Sequence, residues 1–135
     1  MKLKRPLVYL WASPASLLGL SLIPIAVLQG GRARIVQGVV EAHGGIITRL
    51  LRRGLPWVGA GAAMTLGHVV WGCDAQCLEQ TREHERVHVC QYERWGPFFI
   101  PLYLALSAFA AARGRDPYHD NPFEREAFDY EDGMR

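Results

Sequence analysis

Two uncharged apolar runs dictate most of what this chain can become. The first, from Pro6 to Gly31, reads PLVYLWASPASLLGLSLIPIAVLQGG, and the second covers Pro97 to Ala112. Within 135 residues, the rest can build only one modest core. The first run is long enough to cross a bilayer, which takes about 20 predominantly apolar residues. Pro14 and Pro24 would kink such a helix. Basic residues flank it on both sides (Lys2, Lys4 and Arg5 before, Arg32 and Arg34 after), so they hardly fix an orientation. The run over 6–31 reads first as a membrane anchor and next as a core or interfacial helix. A signal peptide fits less well, because the apolar character outlasts the small-residue cleavage sites. The second run contains FFIPLYLALSAFAAA, which is short for a span and suits a core, interfacial or re-entrant helix.

Between the runs, Ala33 to His43 alternates partly and is rich in β-branched residues. Gly44-Gly45 offers a turn, and Ile46 to Leu51 would return as a second strand. A loop containing Gly and Pro covers Gly54 to Gly61, and Ala63 to Trp71 reads as a third strand. Asp74 is placed to cap a helix from about Ala75 to Arg94, and Pro122 opens a last short helix, Phe123 to about Tyr130. No repeat or linker divides the chain, so the expectation is a single α+β domain over 1–135. It would hold an N-terminal apolar helix, a small antiparallel sheet of about three strands, a central helix, a second apolar helix and a Glu-bearing C-terminal helix. A net charge of +2 makes no general electrostatic case for nucleic acid. Three cysteines are too few for a disulfide scaffold, and Cys73 and Cys77 read as ordinary half-buried side chains.

The central helix carries His84-Glu85-Arg86-Val87-His88, a His-Glu-x-x-His pattern. Residues four apart on a helix point the same way, so both imidazoles can close on one Zn²⁺ ion. Glu85 projects beside them, where it can act as the general base of a peptidase. Zinc then needs a third protein ligand. Val89 to Trp95 offers neither of the sequence-local solutions, so the ligand must come from further along, and Asn121 to Ala127 supplies Glu124 and Glu126. Gln91 lies seven residues after His84, close to the same helix face, where it could touch the site or support a ligand, or else be an exposed polar residue. Tyr92, Tyr118 and His119 are candidate transition-state stabilisers, and His119 or Asp120 is a weaker candidate ligand. His43 and His68 lack partner spacing and read as structural, while Arg82, Glu83, Arg86, Glu93 and Arg94 read as a solvated, salt-bridged face. The strand ending at Trp71 could pair with an extended peptide.

The blocks HERVHVCQYERWGPFFIPLYL and NPFEREA, together with the motif, resemble the gluzincin class of zinc metallopeptidases. The chain resembles in particular small bacterial HExxH proteins of uncharacterised function, and CaaX-type membrane peptidases similarly place apolar helix between motif and glutamate. The likeness covers Met64 to Tyr130. It implies zinc, a peptide or protein substrate and attachment to a bacterial inner membrane. So short a chain can barely build a substrate cleft, which leaves a partner protein, an oligomer or the bilayer itself to complete it. Matching Ala127 to the family's Glu-x-x-Ala-Asp segment places the ligand at Glu124. Phe128 stands where that segment has Asp, which keeps Glu126 open as ligand with Asp129 as its helper. A different class of function stands beside the peptidase: a non-catalytic membrane-associated scaffold with a structural zinc, its fourth position filled by Cys90 or His119.

Overall fold

A computed structural model describes residues 5–54 and 63–133. The first apolar run is not one helix but three, α1 (Arg5–Trp11), α2 (Ser13–Ser21) and α3 (Ile23–Leu28). Pro14 and Pro24 fall in the first two positions of α2 and α3. A missing N–H costs nothing there, so each proline starts a helix instead of kinking one.

A hairpin follows, but not where the glycine pair suggested. Strands β1 (Arg32–Val36) and β2 (Val39–His43) pair antiparallel around Gln37-Gly38. Both turn residues have positive φ, at 50° and 81°, the sense that two-residue hairpins favour. Ile46 to Leu51, expected as the returning strand, instead belongs to α4 (Gly45–Arg53). Ile46, Ile47, Leu50 and Leu51 recur at helical spacing and all pack against the main core cluster. Thr48 fixes this turn of chain, accepting from the Gly44 amide at 2.9 Å and donating to the Cys73 carbonyl at 2.8 Å.

The expected third strand is two strands, β3 (Ala63–Leu66) and β4 (Val69–Gly72), which fold on each other at Gly67-His68. Among the described residues the sheet thus has four strands in the order β1-β2-β4-β3 and is mixed, because β2 and β4 run parallel. Parallel neighbours need a crossover, and α4 lies within it. The rest of the expected loop, 55–61 with Trp57, lies outside the described residues, as do Lys2 and Lys4.

The register puts Glu41, Val70 and Thr65 in one row across β2, β4 and β3. Ala42, Val69 and Trp71 point to the opposite side, into the cluster with Ala26, Ile47 and Leu51. That side is covered by α2, α3 and α4. Gly19 lets α2 approach, since a Cβ there would sit 2.8 Å from Val69 Cβ, and the Trp71 indole donates to the Gly19 carbonyl at 3.0 Å.

The row holding Glu41 and Thr65 faces α5 (Ala75–Trp95), whose first turn Asp74 caps by accepting from the Cys77 amide at 2.7 Å. The face expected to be solvated is in part a docking face. Arg82 forks onto Glu41 with two bonds of 2.9 Å, Arg86 reaches the same carboxylate at 3.5 Å, and Glu93 meets His68 at 2.7 Å. Burial works to raise the Glu41 pKa, but the two guanidinium groups outweigh it and hold it below the usual carboxylate value.

Through a 3-10 turn at Gly96–Phe98, α5 continues into α6 (Phe99–Ala112). The combined run Ala75–Ala112 contains a stretch long and apolar enough to cross a membrane by length and composition. The last helix, α7 (Pro122–Gly133), packs against α5. Asn121 holds it in place from a fully buried position. Its amide donates to the Tyr103 carbonyl at 3.0 Å and the Ser107 hydroxyl at 2.8 Å, and its oxygen accepts from the Phe123 amide at 2.9 Å. Asn121→Ala should therefore cost about 2–4 kcal/mol, because it removes a helix cap and strands buried polar groups. Urea denaturation of the variant would check this; a loss under about 0.5 kcal/mol would contradict it.

Candidate metal centre

Three side chains from two helices converge. The ligand atoms of His84 and His88 on α5 and Glu124 on α7 all lie within 4.8 Å of one another, and all three residues are buried. Both imidazole Nε2 atoms approach Glu124 Oε1, at 2.9 Å from His84 and 3.0 Å from His88. Ligand atoms held tetrahedrally by bonds of about 2.0–2.1 Å would sit about 3.3 Å apart, so each imidazole need move from Glu124 by only a few tenths of an ångström to admit a cation between them.

Every outward atom of this trio has its own partner. His84 Nδ1 meets Glu131 Oε1 at 3.1 Å, and His88 Nδ1 meets Gln91 Oε1 at 2.8 Å. With Nδ1–H donating in both rings, the neutral tautomer turns an Nε2 lone pair to the centre. The other oxygen of Glu124 accepts from the Tyr103 hydroxyl at 2.5 Å. Gln91 is fixed in turn, donating to the Phe123 carbonyl at 3.0 Å and to Glu126 at 2.7 Å.

The charges agree with a cation site. Burial works to raise the Glu124 pKa, but the hydrogen bonds from His84 and His88, the charge on His88 and the Tyr103 hydroxyl outweigh it and hold it at about 2. Burial would lower the His88 pKa, yet the bond to Glu124, the charges of Glu85 and Glu124, and Gln91 carry it up to about 9. A pocket that holds protons this firmly is one that attracts positive charge.

Glu85 lies on the same turn of α5, buried and facing β3. Its pKa is raised by burial, against the opposing charges of His88 and His84, with the Glu124 carboxylate adding to the rise. The Thr65 hydroxyl donates to Glu85 Oε2 at 2.9 Å. Glu85, His88 and Glu124 open onto a cavity of about 440 Å³, bounded by edge strand β3, α2, α5 and α6.

The remaining candidates divide. Tyr118 lines the cavity beside Glu124, while Tyr92 lines it but commits its hydroxyl to the Thr65 carbonyl at 3.1 Å. His119 is exposed, with its ring 3.1 Å from Asp116, and Asp120 accepts from the Asp116 amide; neither joins the cluster. Cys90 is exposed and outside the cluster. Glu126 turns outward to Gln91 and Arg94, so Glu124 supplies the carboxylate. Asp129 is exposed, and the carboxylate on His84 is that of Glu131. Spacing explains the exchange: Glu124, Ala127, Phe128 and Glu131 share one face of α7, whereas position 129 falls off it. That seven-residue step was a signal available in the sequence. Tyr103 and Thr65 had none, since each reaches the site from another element.

Glu131→Gln should weaken metal binding by about 10–100-fold without changing the number of ions bound. Competition with a chelator of known affinity measures it, and an unchanged constant would remove Glu131 from the site. Searches against protein-family models, curated proteins and solved structures return no match to this chain.

Proposed function

We propose that this chain is a zinc-dependent peptidase that works at a membrane. One observation carries the reading: two histidines and a glutamate meet with each outward atom partnered, beside a buried carboxylate and an open cavity. His84, His88 and Glu124 would hold the ion, and their imidazole and carboxylate donors suit zinc. When bound, zinc supplies Lewis-acid chemistry, acidifying water and polarising a carbonyl.

The protein's own groups do the rest. Glu85 takes a proton from the attacking water and later delivers it to the leaving amine. Thr65 holds that carboxylate in place. Tyr118, on the cavity wall beside Glu124, would donate to charge developing on the carbonyl oxygen. The outer edge of β3 supports backbone pairing with an extended peptide. Against the alternative of a closed structural zinc, the cluster has three members among the described residues, which leaves room for a substrate atom.

The purified full chain should carry about one zinc per molecule and cleave peptides from a mixed pool. 1,10-phenanthroline should abolish cleavage and added zinc should restore it. Zinc retained with no hydrolysis of any peptide would favour the structural alternative; no bound metal would sink both.

A further inference from the structure

Helix α6 is apolar all round, yet only one side of it is covered. Phe99, Tyr103, Ser107 and Ala110 face the core, whereas Leu104 and Phe109 are 40% and 59% exposed. No charged residue lies between Pro97 and Ala112, so the outward side lacks the charge that a helix facing water carries. The same holds for α2, where Ala15 and Gly19 pack inward and Leu17 is 65% exposed. The two surfaces join. Leu18 and Leu104 line the same cavity, and Trp11 of α1 meets Phe98 with ring centroids 5.9 Å apart.

The charged residues that flank these helices in the sequence are basic. From Met1 to Val40 the chain carries five basic residues and no acidic one, and the first acid, Glu41, is taken up by Arg82 and Arg86. Exposed Arg32 and Arg34 follow α3. Exposed Arg113 and Arg115 follow α6, before the first acid at Asp116. An apolar surface flanked by exposed arginines complements anionic lipid headgroups over acyl chains.

We propose that α1, α2, α3 and α6 form a docking face that lies in the interface of an anionic bilayer without crossing it. Leu18 and Leu104 then turn the cavity toward the lipid, and a substrate segment enters it from the membrane surface, a clause that rests on the peptidase reading. The helices α1, α2 and α3 have 7, 9 and 6 residues. Helix α6 runs on from α5, and together they contain a stretch long and apolar enough to cross, but α5 carries buried ion pairs to the sheet and the clustered histidines, which hold this run against the rest of the protein. The inward side of α6 is also tied into the protein, through Tyr103 to Glu124 and through Ser107 to Asn121.

Flotation of the metal-loaded full chain with phosphatidylcholine vesicles, with and without phosphatidylglycerol, tests the proposal. The protein should float with anionic vesicles and be released by alkaline carbonate. Leu17→Glu with Phe98→Glu should lower vesicle partitioning by at least about tenfold per site while bound zinc is retained. Arg32→Gln with Arg113→Gln should weaken binding to anionic vesicles about fivefold per residue and leave neutral vesicles unaffected. Failure to float would overturn the proposal, and resistance to carbonate would replace it with a span. A dimer that the Leu17→Glu, Phe98→Glu variant dissociates, with vesicle binding unchanged, would assign the face to a second copy. Zinc is measured in the same samples, so a chain that floats without metal keeps the docking face and loses only the peptidase reading.

Discussion

Replacing Glu85 by Gln should leave zinc content unchanged and lower peptide hydrolysis by about 10²–10⁴-fold. Glutamine has the shape of the glutamate, and its carbonyl can still accept from Thr65, so the helix and β3 keep their packing. Position 85 is not among the clustered ligand atoms, so metal affinity has no reason to fall. What disappears is the proton acceptor. Its value to the reaction comes from the site: burial lifts the Glu85 pKa above that of a free carboxylate, closer to the neutral range where a general base both takes and returns a proton efficiently. The comparison needs kcat/KM for one cleaved peptide and zinc per chain for both proteins. Hydrolysis undiminished in the variant would show that another group, or another site, does the chemistry.

The part of this site that lies on one helix was legible in the sequence, because the i, i+4 rule fixes His84 and His88 without reference to anything else. Gln91 was legible for the same reason. The third ligand was narrowed to Glu124 and Glu126 but not chosen, since the two point to different sides of α7 and only the packing of α7 on α5 turns one of them inward. Asp129 misled because it was placed by analogy with a segment; counting along the face from Glu124 leads to Glu131. Tyr103 and Thr65 sit on α6 and β3, and no local pattern announces which hydroxyl will meet a carboxylate 21 or 20 residues away.

The strands failed for a related reason. Ile46 to Leu51 is short and apolar, and such a segment satisfies both strand and helix templates until its neighbours are known. Gly44-Gly45 looked like the stronger turn, yet Gln37-Gly38 adopts the hairpin geometry, and Gly44 precedes α4. The failure to expect the parallel pairing of β2 with β4 followed from that misreading. Once α4 is seen as a helix, a crossover exists and the two strands can lie side by side in the same direction. The prolines were expected to kink a single helix over 6–31; each instead stands in the first turn of a new one, because a helix start has no use for the missing N–H.

Removing the metal should make the fold's stability depend on pH in a way that the loaded protein's does not. In the metal-free chain the His88 pKa is raised from 6.5 to about 9. A raised pKa stabilises the fold fully below the unfolded value and loses that contribution as pH climbs through the folded one. Chelated protein should therefore lose on the order of 3 kcal/mol between about pH 6.5 and pH 9. Glu124 acts at the other end. Its pKa is lowered from 4.5 to about 2, so its contribution is present above 4.5 and fades as pH falls toward 2. Taken alone, these two groups place maximum stability of the metal-free chain between about pH 4.5 and 6.5, and the raised pKa of Glu85 works against stability as pH rises above 4.5, favouring the lower part of that window. The same proton links to binding. His88 must lose it to ligate, so metal uptake at neutral pH should release about one proton from this residue, and apparent affinity should rise about tenfold per pH unit until the pH nears 9. Denaturant unfolding of chelated and loaded protein across pH 5 to 9.5, with proton release followed by calorimetry in two buffers, reads both effects. Chelated protein as stable at pH 9 as at pH 6 would mean that His88 does not hold the proton, and the centre would have to bind its cation by another arrangement of these ligands.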